Sequence, residues 1–243
     1  MILVIDKPPG WTPLEAMEAL RAGTPALVEE KMVYAGRLDP MAEGVLLVLT
    51  GEDRHTLAAH LGHDKQYVAT FLFGVGSDTH DALGRLVSGG SSPPPAARCA
   101  EAVAALPGVH PLPLPVWSAY RVGGRPLHAW AREGRIHEIT VPARDMTVLA
   151  VEDVAARVVQ ASALLDDVRA RISRVRGTFR QAEALADWAR LEEADNPLVM
   201  VTATLTVTSG TYVRSLADAV GARLGCGGIL YALRRTRVGP FRA

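Results

Sequence analysis

Met200 to Val207 alternates with period two. Val201, Ala203, Leu205 and Val207 fall on one side, and Met200, Thr202, Thr204 and Thr206 on the other. That pattern predicts a half-buried strand. Past the turn residues Ser209-Gly210 the spacing becomes helical. Val213, Leu216, Val220 and Leu224 form an apolar stripe within Tyr212 to Leu224, and Gly225 closes it. Ile2 to Ile5 reads as a short buried strand, Val45 to Leu49 as a second and Gln66 to Phe73 as a third. Thr12-Pro13-Leu14-Glu15 carries the marks of a helix start, with a capping threonine, proline at the first position and a glutamate that reaches back. Asp53 to Leu61 and Ala96 to Leu106 read as further helices, and Met32 to Gly44 as a loop. Gly89 to Pro95 is the clearest flexible connector, and Pro111 to Val122 is extended. Strands and helices mix without a βαβ repeat. The expected fold class is therefore α+β, with a mixed, largely antiparallel sheet flanked by helices.

The chain has 243 residues, enough for a sizeable core, and its 49% apolar content excludes a disordered polyelectrolyte. Lys+Arg and Asp+Glu are 26 each, which argues against a uniform basic coat but leaves room for a local basic groove. Cys99 and Cys226 stand apart from any ligand-like Cys/His cluster, so no metal site is expected. Two such thiols fit a reducing cytosol, or one bridge. The apolar run Ile2 to Ile5 is too short for a signal peptide, and Val45 to Leu49 too short to cross a bilayer. A cytoplasmic protein with no membrane association is expected. No glycine-rich phosphate loop follows a strand, so no nucleotide cofactor is expected.

Three segments hold candidate chemistry. In Ala35 to Leu46, Asp39 sits between Gly36 and Gly44 and beside Pro40. Such a backbone presents a carboxylate into a cleft, or makes an ordinary surface turn. Tyr67 opens a strand and is either a core tyrosine or a ring that stacks on a base and exchanges a proton. Arg214 lies in the first turn of a helix, where the dipole disfavours a cation. It is either solvated or held there by a carboxylate.

Taken together and in order, these segments resemble the TruB-type pseudouridine synthases. The resemblance rests on Asp6 to Gly10, Gly36 to Leu46, Lys65-Gln66-Tyr67, Ser209 to Arg214, Leu224 to Gly228 and Tyr231 to Arg235. Pro115 to Gly134 adds Ser118-Ala119, Gly124 and Ala131 to Gly134. It implies the pseudouridine synthase fold and conversion of a uridine within RNA to its C-glycoside isomer, without metal or organic cofactor. It implies Asp39 as nucleophile, Arg214 as its partner, and Tyr67 as the residue that packs on the base and takes the late proton. Tyr212 and Leu233 then line the uracil pocket, and Tyr34 contacts substrate. The implied partner is the T-arm of tRNA, at the TΨC-loop uridine of position 55, with no protein partner and a monomeric enzyme. Rival readings are a pseudouridine synthase acting on ribosomal RNA, and a non-catalytic RNA-binding or RNA-folding protein on the same fold.

The chain departs from the family pattern in three places. Val33-Tyr34-Ala35-Gly36 stands where a Gly-His-Thr-Gly run is usual, so Tyr34 takes the place of a histidine. The expected organisation is a single catalytic domain over 1–243, with no recognisable C-terminal PUA domain and a helical insertion at about 154–196. That insertion carries Arg169, Arg171, Arg174, Arg176 and Arg180 with no acid between the first and last. The stripe is either a solvated helix face or a grip on the RNA backbone, for which Arg171, Arg174 and Arg176 are the candidates.

Overall fold

A computed structural model of the chain describes residues 1–87, 91–194 and 196–243. Strand β1 (Ile2–Lys7) leads into helix α1 (Pro13–Gly23), which starts as its sequence dictates. The Thr12 hydroxyl accepts from the Glu15 amide at 3.2 Å and Glu15 Oε2 accepts from the Thr12 amide at 2.7 Å, so two amides with no partner inside the helix are satisfied. There follow β2 (Met32–Ala35), β3 (Glu43–Thr50), α2 (Leu57–Leu61), β4 (Lys65–Phe73) and a small hairpin of β5 (Gly76–Ser77) with β6 (Leu86–Val87). Next come α3 (Ala96–Ala104), β7 (Gly108–Pro113), a second small hairpin of β8 (Arg121–Val122) with β9 (Arg125–Pro126), and α4 (Leu127–Arg132). The chain continues through β10 (Ala143–Gln160), α5 (Leu165–Ser173), α6 (Gln181–Ala194), β11 (Pro197–Val207), α7 (Val213–Leu224), β12 (Gly228–Val238) and β13 (Phe241–Arg242).

One mixed sheet organises these elements, in the order β1-β3-β12-β4-β11-β10-β7, with β2 on β3 and β13 on β12. Its pairings are antiparallel except β12 with β3, which is parallel through Arg234↔Glu43 and Arg235↔Gly44. The expected α+β class with a largely antiparallel sheet is what the chain adopts. The alternation read in β11 separates its faces. Val201, Ala203, Leu205 and Val207 join Tyr67, Ala69, Phe71 and Phe73 of β4 in a core closed by α3 and α7. Leu198 and Met200 turn the other way with Leu72, Ile229 and Tyr231, against α5 and α6.

Several expectations need correction. The Ile2 to Ile5 strand is only half buried, and Val4 is exposed, because β1 lies at one end of the sheet order. Met32 to Ala35, expected as loop, pairs with β3 through Met32↔Thr50 to Ala35↔Leu47. The long strands β10 and β12 were not foreseen. Each carries two register shifts, and an added residue reverses the side-chain alternation that would reveal a strand. Of the segment 154–196, residues to Gln160 continue β10, and α-helix begins at Leu165. The connector expected over Gly89 to Pro95 lies partly outside the described residues, at Gly89 and Gly90.

Candidate active site

Asp39 occupies the loop between β2 and β3. The loop is stitched to β12 by Arg235, which is 1% exposed. Its Nε donates to Val45 O at 2.7 Å, Nη1 to Arg37 O at 3.2 Å and Nη2 to Gly36 O at 3.1 Å. All three nitrogens of the buried guanidinium are thereby used on backbone carbonyls, as burial of such a group requires. Gly44 has φ +104°, and a Cβ there would sit 2.2 Å from Arg235 O. The close approach of β12 to the loop thus depends on glycine at that position.

Arg214 reaches the same place from the first turn of α7. Its Nε lies 2.7 Å from Asp39 Oδ2, and Nη2 donates to Asp39 Oδ1 at 3.3 Å. Nη1 donates to Thr79 O at 2.7 Å. The arginine side chain is 5% exposed and that of Asp39 is 42% exposed. The cation is therefore held inside while the carboxylate faces the opening. The apparent conflict with the helix dipole is resolved by two carboxylates, because Asp81 Oδ2 stands 3.7 Å from Arg214 Nε.

Asp81 is the residue that sequence reasoning missed. It lies in the turn between β5 and β6, where Oδ1 accepts from the Thr79 hydroxyl at 2.5 Å and the Leu83 amide at 3.0 Å. Burial pushes its carboxyl above the usual range, and the Arg214 charge pulls against that. The available signal was Asp78-Thr79-His80-Asp81, a polar cluster running straight into buried Ala82 and Leu83.

Leu230 and Leu233 line the cleft together with Asp39, Met41, Ala42, Asp81 and Arg214. Its free volume is about 10 Å³, room for one water at most. A larger cavity of about 360 Å³ adjoins it at Tyr231 and Ala232 and is lined also by Arg157, Asp167 and Arg171. Tyr67 is 8% exposed, in the cluster that holds Leu38 and Ala42 on either side of Asp39, and Tyr212 and Leu233 pack on that cluster. Tyr34 is elsewhere, half-buried against Met17, Leu27, Met32 and Val48. Of the arginine stripe, Arg171 donates to Asp167 Oδ2 at 2.6 Å and lies 5.1 Å over the Tyr231 ring. Arg176 lies 4.2 Å over the Trp11 ring. Arg174 is exposed.

Lys7, wholly buried, donates to Pro8 O at 3.0 Å and Trp11 O at 2.6 Å. Burial pushes its ammonium down to about 8, against the upward pull of Asp39 and Glu43. Burial also lowers Lys65 to about 8, where it donates to Leu61 O, His63 O and Ser209 Oγ. Both values lie below the unfolded 10.5, so between them the unfolded chain binds more protons than the folded one. Stability is then expected to rise as pH increases from 8 towards 10.5 and to fall on the way back. Urea unfolding at pH 8 and pH 10 checks this. A slope that survives in Lys7→Met and Lys65→Met would belong to other groups.

Among the described residues no group of three or more His, Cys, Asp or Glu side chains is placed to hold a metal ion, and no helix is long and apolar enough to cross a membrane. Residues 25–179 match the family model described as TruB family pseudouridylate synthase, N-terminal domain. The chain is 35% identical over 248 residues to the tRNA pseudouridine synthase B of Thermobifida fusca, covering 99% of this chain and 70% of that one. It is 34% identical over 247 residues to the protein of the same name from Leifsonia xyli, covering 99% and 67%. It thus spans about two thirds of the length of these relatives. Among solved structures, a Cbf5-Nop10-Gar1 complex aligns with a TM-score of 0.60 at 23% identity, over 99% of this chain and 49% of that one. At that identity the match speaks for the fold.

Proposed function

The chain belongs to the TruB family of pseudouridylate synthases, and from that premise we propose that it isomerises the uridine at position 55 in the TΨC loop of tRNA to pseudouridine. The observation that carries the proposal is the two-point contact of buried Arg214 with Asp39 at the lip of a cleft. The target base leaves its stack, since its reacting atoms are inaccessible within it. Asp39 forms a covalent bond to the target nucleotide as the glycosidic C–N bond breaks. The uracil turns within the pocket and rejoins the ribose through carbon. The proton on the newly bonded ring carbon is removed, the ring nitrogen freed from the ribose takes up a proton, and the aspartate is released, so product and substrate have the same atoms. Arg214 holds Asp39 in a fixed orientation. Tyr67 stacks on the base and takes the late proton, while Tyr212 and Leu233 wall the pocket. The reaction uses no metal or organic cofactor, and the enzyme acts as a cytoplasmic monomer.

The test is incubation of the purified protein with an unmodified tRNA transcript and mapping of the pseudouridine formed. Conversion at position 55 is expected. Conversion confined to ribosomal RNA, or binding without conversion, would sink the proposal. Tyr67→Phe keeps the ring and loses the hydroxyl. It is expected to leave tRNA binding intact and to lower single-turnover conversion roughly 100-fold or more. An undiminished rate leaves Tyr67 a packing residue.

Arg171, Arg174 and Arg176 enter the proposal as contacts to the tRNA backbone, and Tyr34 as a separate substrate contact. Arg174 and Arg176 are exposed, which suits that role. Arg171 already shares its charge with Asp167, so it contributes least. Replacing the three with alanine is expected to weaken binding and flatten its salt dependence, with little change in rate at saturating RNA. Affinity and salt slope at wild-type values would make the stripe a solvated face.

A further inference from the structure

The link between α5 and α6 approaches the cleft from two sides. On one side the Arg176 amide donates to Gly10 O at 3.0 Å, and the Gly10 amide donates to Pro40 O at 2.8 Å, next to Asp39. Gly10 has φ +88°, and a Cβ there would lie 2.2 Å from Arg174 O. On the other side Arg180 Nη1 and Nη2 donate to Asp78 Oδ2 and Oδ1 at 2.7 and 3.1 Å. The residue after Asp78 is Thr79, whose carbonyl accepts from Arg214 and whose hydroxyl donates to Asp81. The Arg180 guanidinium lies 4.0 Å over the Trp117 ring. Its φ is +59°, a left-handed conformation that a side chain of this kind keeps only where its surroundings impose it. From there α6 continues the grip. Trp188 Nε1 donates to Ala82 O at 3.0 Å, and Asp187 Oδ2 accepts from Arg85 Nε at 2.6 Å and the Leu86 amide at 3.1 Å.

We infer that Arg180 is a positioning residue for the isomerisation: through its forked contact with Asp78 it fixes the turn on which Arg214 and Asp81 are aligned with Asp39. The inference rests on the pseudouridine synthase reading for its chemistry and on the geometry for the alignment. Arg180 contacts Asp78 and Trp117 and reaches the reacting carboxylate only through the Thr79 turn. Without the fork, Asp78 keeps, among the described residues, only the Arg85 amide on its carboxylate, so the Thr79 carbonyl gains freedom to shift and the Arg214 guanidinium holds its angle to Asp39 less firmly. Misalignments of that size act on rate more than on binding.

The test compares Arg180→Ala, Arg180→Lys and Asp78→Asn in single-turnover conversion of tRNA at saturating RNA. Arg180→Ala is expected to be slower by roughly 10- to 100-fold, with RNA affinity and its salt dependence near wild type. Arg180→Lys is expected to recover only part of the rate, since an ammonium cannot fork. The pair Asp78→Asn with Arg180→Ala is expected to be no slower than the slower single variant. A wild-type rate for Arg180→Ala overturns the inference, as does a loss confined to affinity and salt slope. Recovery of the full rate at a temperature where a weakened variant is folded overturns it too. The Arg214 side-chain nitrogen resonances of the free protein give a readout that needs no RNA. They are expected to shift in Arg180→Ala, and resonances that stay in place overturn the inference. If the wild type converts no uridine in any RNA, the functional reading fails while these resonances still decide the alignment.

Discussion

Asp39→Asn is expected to abolish conversion of tRNA while leaving RNA binding and thermal stability close to wild type. The amide keeps the shape and still offers one oxygen to Arg214, but it cannot form and release a covalent intermediate as a carboxylate does. Loss of a covalent nucleophile acts on the scale of 10⁶-fold, roughly, in rate. Stability is spared because the Asp39 side chain is 42% exposed and Arg214 retains Asp81 and the Thr79 carbonyl. The measurement is single-turnover conversion beside an RNA titration and a thermal melt. Turnover near the wild-type rate would remove Asp39 from the chemistry. A collapse of the melt instead of the rate would make it a structural residue.

Arg214→Lys is expected to cost both rate and stability, and the two losses have separate causes. The guanidinium serves both oxygens of Asp39 and the Thr79 carbonyl at once. A lysine is a point charge on a flexible stem and cannot hold those angles together. The rate is expected to fall by roughly 10² to 10³-fold, the scale of a lost preorganised donor. Asp81, 8% exposed, then relies on its contacts with Thr79 and Leu83 and on a more distant ammonium. Its carboxyl is expected to take up a proton at a higher pH than in the wild type, so the melting temperature of the variant should fall with rising pH over a wider span above the ordinary carboxylate value of 3.8 than that of the wild type, and level off once that proton is lost. A variant with the wild-type rate and an unchanged pH profile of melting would show that the arginine is a passive filler of the cavity.

The pair at the centre of the site was legible through the family resemblance, and each of its two members also stands in a segment with its own local mark. Asp39 lies between glycines, and Arg214 sits where a helix dipole resists a cation. Asp81 escaped because its meaning is three-dimensional. Its partner is 133 residues away, and the turn that bears it follows a strand whose pattern had already ended at Phe73. Arg235 was visible as part of a family motif, yet its work was hidden because its partners are carbonyls, which every residue possesses. The run from Arg169 to Arg180, free of acids in sequence, is partly neutralised in space. Asp166, Asp167 and Asp78 answer Arg169, Arg171 and Arg180 from outside the interval. The strands β10 and β12 were unreadable for the opposite reason, since bulges erase the local alternation on which such reading depends.

The Arg235 stitch also sets an order of events during synthesis. Gly36 and Arg235 are 199 positions apart, so the loop bearing Asp39 leaves the ribosome long before the side chain that ties it down. Closing so long an interval is a late and slow step. The nascent protein can assemble α1 and its capping turn early, and even pair β1 with β3, while Asp39 still sits on an untied loop. A chain cut shortly before Arg235 would keep many of the apolar residues of its core and none of this tether. The tether of the Asp39 loop and the strand β12 are thus acquired together, and on the proposed reading translation that stalls before Arg235 is expected to leave a polypeptide unable to convert RNA.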